Sequence, residues 1–220
     1  MSFASTRDAL HAVAEHVIAA KRYSVDGHIG LEPTMGGFGT PVIDRWCARV
    51  EGASLVVLDD DGERRAPITT LAAGAAFVDG PLGAPAGVYT PVTACVPDAP
   101  ITIDLDASVV LATWLAFADG LLAAVRDEYA ANSPTTIQMW PEHFDIGCSF
   151  GDANYGASPG DSGIPEPYLY VGPWNEAQRT GELGAYGFGA AITYDALYAA
   201  PDAHEVGMAF YRRHAAKLAG

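Results

Sequence analysis

The stretch from Ala107 to Val125 constrains this chain most, because it is apolar along nearly its whole length and is crossed by Asp119 and Gly120. Such a helix must bury a wide face. With Asp106 as its cap it is predicted to run to about Ala131 as the central core helix, carrying Val110, Trp114, Phe117, Leu121, Leu122 and Val125. Its interruptions and its cap argue against a membrane span. A chain of 220 residues can enclose a core of that size, and half of it is hydrophobic while 18% is charged, a globular composition. The expectation is one domain over residues 1–220.

Around this helix the hydrophobic period alternates between helical and extended. Leu10, Val13, Ala14, Val17 and Ile18 recur at helical spacing behind a Ser5 to Asp8 capping pair, and this segment is predicted to close on Lys21 and Arg22. Short strands follow at Tyr23–Leu31, Trp46–Val50, Leu55–Leu58 and Glu63–Ile68, with a hairpin turn at Asp61 and Gly62. A short helix is expected at about Thr70–Val78, a second group of strands between Thr135 and Tyr194, and a last helix from Asp202 to Leu218 behind Pro201. No internal repeat and no regular βαβ alternation is visible. The fold class is therefore α+β, mainly antiparallel sheet packed with four to five helices. Between them, Gly80–Pro100 is a long Pro- and Gly-rich loop, expected to be a lid or a subdomain connection ahead of a motif-bearing half at 101–220.

The formal net charge of −15 repels phosphate backbones and anionic membrane surfaces, so neither nucleic acid nor membrane is expected as a partner. Cys47, Cys95 and Cys148 are odd in number and far apart, without CxxC spacing. That argues against a disulfide framework and for a reducing cytoplasm. No charged start followed by an apolar run marks the N-terminus as a secretory signal. The scarcity of Lys beside abundant Ala, Gly, Asp and Arg fits a GC-rich bacterial genome.

Function is expected between Trp140 and Trp174, in WPEHFDIGCSFGDANYGASPGDSGIPEPYLYVGPW. Strand parity breaks inside it. Apolar residues are odd-numbered from Ile137 to Pro141 and even-numbered from Phe144 to Phe150, so Pro141 must mark a bulge or break. This parity sets His143, Asp145, Gly147 and Ser149 on the face away from the core. Asn154, Gly156 and Ser158 form a second polar alternation, Ser158–Asp161 spells a type II turn, and Glu166 is held extended between Pro165 and Pro167. Tyr168 and Tyr170 share one face of a further strand.

WPEHFD, SPGD and PEPY together resemble the signature of an uncharacterised bacterial family, a domain of unknown function in which a WPxHFD strand precedes an SPGD turn and a PEPY strand. The resemblance covers Gln138–Trp174 and implies no activity, cofactor or catalytic residue.

Read from the residues alone, His143, Asp145, Asp161 and Glu166 are the candidate catalytic groups, with His143 as general acid or base and carboxylates to orient it. Glu142, Asn154, Ser158, Tyr168, Tyr170 and Trp174 are the candidate ligand contacts. His143, Asp145 and Asp161, with Asp152 and Glu166 nearby in sequence, offer nitrogen and oxygen donors that suit a divalent metal. Two GxSxG strings, Gly147–Gly151 and Gly156–Gly160, lack the context of a nucleophile elbow. GGFGTP at 36–41 is expected to be a flexible turn or a cleft wall. His11, His16, His204 and His214 are assigned to solvent or packing. The expected function is a small-molecule-active protein with a polar cleft, hydrolytic or acid–base in type and metal-assisted if the donors converge. The alternative is a non-catalytic ligand-binding or protein-interaction module.

Overall fold

A computed structural model describes residues 2–219. The chain divides into two compact units, one of residues 1–116 and 139–144, the other of 117–138 and 145–220. The Gly80–Pro100 loop lies wholly inside the first, so it is no connection between them. Two antiparallel five-stranded sheets and six α-helical segments among the described residues, the first two continuous through a π turn, make the fold α+β, as expected.

The first unit begins with helix α1 (Phe3–Val13), which passes through one π turn (Ala14–Ile18) into α2 (Ala19–Asp26) without a break. Ser2, rather than Ser5, caps it by accepting from the Ser5 amide. The helix ends only where Gly27 adopts a left-handed φ of 76°. The expected strand over Tyr23–Leu31 is thus overturned: its alternation belongs to the solvent side of a helix, with Tyr23 and Val25 exposed.

The sheet of this unit runs β1 (Glu32–Thr34), β2 (Gly37–Gly39), β3 (Cys47–Glu51), β4 (Ser54–Asp59) and β5 (Gly62–Pro67), each paired with the next. Asp59 pairs with Gly62, which moves the hairpin turn to Asp60 and Asp61. The expected flexible turn at GGFGTP is instead β2, buried throughout, where a Cβ on Gly37 or Gly39 would strike the backbone of β3. Thr70 caps α3 (Leu71–Phe77) through the Ala73 amide.

Helix α4 (Leu105–Glu128) is capped by Asp104, whose carboxylate accepts from the Ala107 amide, and not by Asp106. By length and composition it is apolar enough to cross a membrane. Leu111, Trp114, Leu115, Ala118, Leu121, Leu122 and Val125 form its buried stripe, while Val110 faces solvent.

The second sheet has the order β10-β9-β8-β7-β6, from β6 (Gln138–Trp140), β7 (Asp145–Phe150), β8 (Ala153–Ser158), β9 (Tyr168–Pro173) and β10 (Ala190–Thr193). Helix α5 (Tyr194–Tyr198), which the sequence reading lacks, precedes α6 (Ala203–Ala219), capped by Asp202 at the Glu205 amide. Ile146, Cys148, Tyr155, Ala157, Leu169 and Val171 form the apolar side of this sheet. Tyr211 of α6 donates to the Gly156 carbonyl, and Gly207 lets Leu121 and Leu169 close against the helix.

Candidate functional site

The parity break at Pro141 is real, but it is a full turn. Pro141–Phe144 reverses the chain, the Phe144 amide donates to the Trp140 carbonyl, and Phe144 takes a φ of 52°. β7 therefore starts at Asp145, and His143 is an exposed turn residue rather than a same-face strand neighbour of Asp145. His143 and Glu142 belong to the first unit, whereas Asp145, Asp161 and Glu166 belong to the second.

Within the second unit, the side of the sheet opposite its apolar face carries the expected polar alternation. Register aligns it in rungs: Gly147, Gly156, Tyr170 and Ala191 face one another across four strands, with Ser158 opposite Tyr168 on one side and Ser149 opposite Asn154 on the other. The two glycines let the Tyr170 side chain lie across the sheet, because a Cβ on Gly156 would stand 2.5 Å from its ring and one on Gly147 3.4 Å from its hydroxyl. The Tyr170 hydroxyl thereby reaches and donates to Asp145 Oδ2. Burial first, and the Asp145 charge second, hold the phenol well above its ordinary pKa, so it keeps its proton.

Tyr168 donates to Asp161 Oδ2 at 2.6 Å, and burial followed by that hydrogen bond raises its pKa as well. Phe188 packs on both tyrosines, stacked on Tyr168 at 6.0 Å and edge-on to Tyr170 at 5.9 Å. Asp145, Tyr170, Tyr168, Ser158 and Asp161 thus share one face.

Other candidates are structural. Asp161 Oδ1 accepts from the Gly163 and Ile164 amides at 2.6 and 2.9 Å and shapes the loop after the Ser158–Asp161 turn, where Gly160 has the φ of 99° that a type II turn demands. Ser158 Oγ accepts from the Gly160 amide. Glu166 Oε2 accepts from the Asp195 amide and caps α5. At the far end of the face, Asn154 Oδ1 accepts from both Ser149 Oγ and Trp174 Nε1, each at 2.8 Å. Both GxSxG serines sit on strands that run into turns, without a following helix.

The expected metal donors do not converge: among the described residues no group of three His, Cys, Asp or Glu side chains is placed to hold an ion.

The first unit holds a cluster that the sequence reading passes over. Glu15, on the π turn, is fully buried, and its carboxylate accepts from the Val92 and Thr93 amides at 2.8 Å and from the Thr93 hydroxyl. His16 Nδ1 accepts from the Ala84 amide, so its Nε2–H donates to the Thr93 carbonyl at 3.0 Å. His11 Nε2 donates to the Pro141 carbonyl at 2.8 Å, and Phe144 stacks on its ring. Burial lowers the His11 pKa against the opposing pull of Glu15. The Pro- and Gly-rich composition of the 80–100 loop was the one linear signal of this cluster. The loop is ordered on the helix of its own unit.

Neither family comparisons nor searches of curated proteins and of solved structures give a match to this chain.

Proposed function

We propose that the polar face of the second sheet binds a small molecule and that Asp145, acting through Tyr170, is its acid–base group. One observation carries the reading: two glycines on adjacent strands clear the space that lets a strand-borne tyrosine donate to a carboxylate at 8% exposure. A phenol that donates to a carboxylate retains lone pairs able to accept from a substrate O–H or N–H. It can then take that proton as its own passes to Asp145, and the raised phenol pKa disfavours a resting phenolate. Strand positions hold both groups without an entropic cost at binding. The second reading is a non-catalytic binding surface in the same cytoplasmic protein. It is favoured by the commitment of Asp161 and Glu166 to backbone amides, which leaves one acid–base pair on the face.

The test is a thermal-shift screen of small polar compounds against the wild type and Tyr170→Phe. Compounds that raise the wild-type midpoint and fail to raise that of the variant support the site. A library that stabilises neither, or both equally, overturns it. Turnover of a hit by the wild type and not by Asp145→Asn separates catalysis from binding.

A further inference from the structure

The opposite end of the same sheet face holds an aromatic ring whose placement packing does not explain. Trp174 is 54% exposed, yet its indole is not free to swing, because Nε1 donates to Asn154 Oδ1 and its backbone amide donates to the Asp152 carbonyl. Leaving half of the largest side chain in water forgoes much of the burial that makes tryptophan useful in a core. Fixing it there supplies a rigid, flat apolar surface.

The fixing residue is itself oriented. Asn154 Oδ1 accepts from Ser149 Oγ as well as from Trp174, and since the indole N–H only donates, flipping the amide would lose the bond to Trp174. Asn154 is itself exposed, and its amide carries an NH2 donor pair on the residue that holds the ring. Asp152, exposed in the Gly151–Asp152 turn, adds a carboxylate acceptor, and the turn is open: a Cβ on Gly151 would meet no atom within 4 Å. One apolar plane, one amide donor pair and one acceptor are thus contributed by the residue that follows β9, by β8 and by the turn that precedes β8.

We infer that this end of the face binds a neutral sugar ring, stacked by its C–H face on Trp174 with its hydroxyls on Asn154 and Asp152. A pyranose needs this combination of a flat apolar contact and peripheral donors and acceptors. A net charge of −15 opposes nucleotides and other phosphorylated ligands. Arg179, the cation nearest in sequence to the ring, is engaged with the Pro173 and Gly187 carbonyls. The inference deepens the proposed small-molecule reading by naming the class, and it rests on that reading only for the link to Asp145 and Tyr170.

Titration of the full chain with methyl glucoside, lactose and maltose, followed by tryptophan fluorescence and by amide NMR shifts of residues 149–154 and 172–175, tests it. At least one sugar is expected to perturb these residues, and Trp174→Ala is expected to weaken that binding about tenfold or more, as removal of a central aromatic anchor does. Asn154→Asp keeps the oxygen that holds Trp174 and removes the NH2, so it should weaken sugar binding while leaving the indole N–H shift in place. Trp174 is exposed, and an unchanged circular dichroism spectrum confirms that its variant folds. Absence of any shift at the solubility limit of the sugars, equal binding by Trp174→Ala, or binding of adenosine without binding of a sugar overturns the inference. Compounds unrelated to sugars that depend on Tyr170 would uphold the acid–base site and remove the sugar platform. Sugar binding that depends on Trp174 and is indifferent to Tyr170→Phe would do the reverse.

Discussion

His143 and Phe144 are neighbours with opposite duties. Phe144 is 2% exposed, stacked on His11 at 5.0 Å and edge-on to Phe38 at 5.3 Å, whereas His143 projects from the turn into solvent. Phe144→Ala is expected to cost about 3 to 5 kcal/mol, and His143→Ala to stay within about 0.5 kcal/mol, by denaturant midpoints. A His143→Ala loss as large as that of Phe144→Ala would mean that the imidazole is a packing group after all. His214 makes the converse case, a histidine with no exposure and no hydrogen-bond partner on either ring nitrogen among the described residues. Burial, then Arg213 and Lys217, lower its pKa to about 4. Between pH 6.5 and 4 the unfolded chain therefore binds a proton that the folded one refuses, and stability falls as pH falls through that window. His214→Leu should flatten this slope and cost little at pH 7, since it removes two unsatisfied buried atoms. Thermal midpoints at pH 7 and pH 5 check it, and an unchanged slope would sink the assignment.

Among the elements, the π turn and the 80–100 loop hold each other. The loop has no regular structure, yet Glu15 binds it at Val92 and Thr93 and His16 binds it at Gly83, Ala84 and Thr93. Its far end is pinned where the Ala72 amide donates to the Pro97 carbonyl. Glu15→Ala would leave three donors without their acceptor, a loss of about 3 kcal/mol or more. Hydrogen exchange at Val92 and Thr93 should accelerate first, and protection there equal to the wild type would show that the loop does not depend on this carboxylate. None of this was legible in the sequence, because a latch between residues 77 apart has no local signature. What local chemistry dictates was legible: α3 behind Thr70, the β4–β5 hairpin, and the parity of β7, β8 and β9 that places Asp145, Ser158 and Tyr170 on one face. Tyr23 and Val25 misled because a short polar–apolar alternation is also what the solvent side of a helix end presents.

For the molecule as a whole, the candidate site was half legible. The type II turn at Ser158–Asp161 and the chain break at Pro141 were legible from glycine and proline positions, since those residues restrict the backbone itself. The partners were not, because they are set by pairing: Glu166 looked catalytic and caps α5, and the Asp145–Tyr170 contact depends on which strand lies beside which. The π turn at Ala14–Ile18 bears on the same point from the side of inheritance. A π turn is an α-helix carrying one residue more than its ladder needs. Loss of a single residue there would leave an unbroken α-helix, and because the wide turn already absorbs the extra residue, the segments on either side would keep their faces. Leu10 before the turn and Ala20 after it would both stay in the core. The helix can thus shed or regain one residue at this point without turning either half away from what it packs on, a tolerance that a regular helix, turning about 100° per residue, lacks.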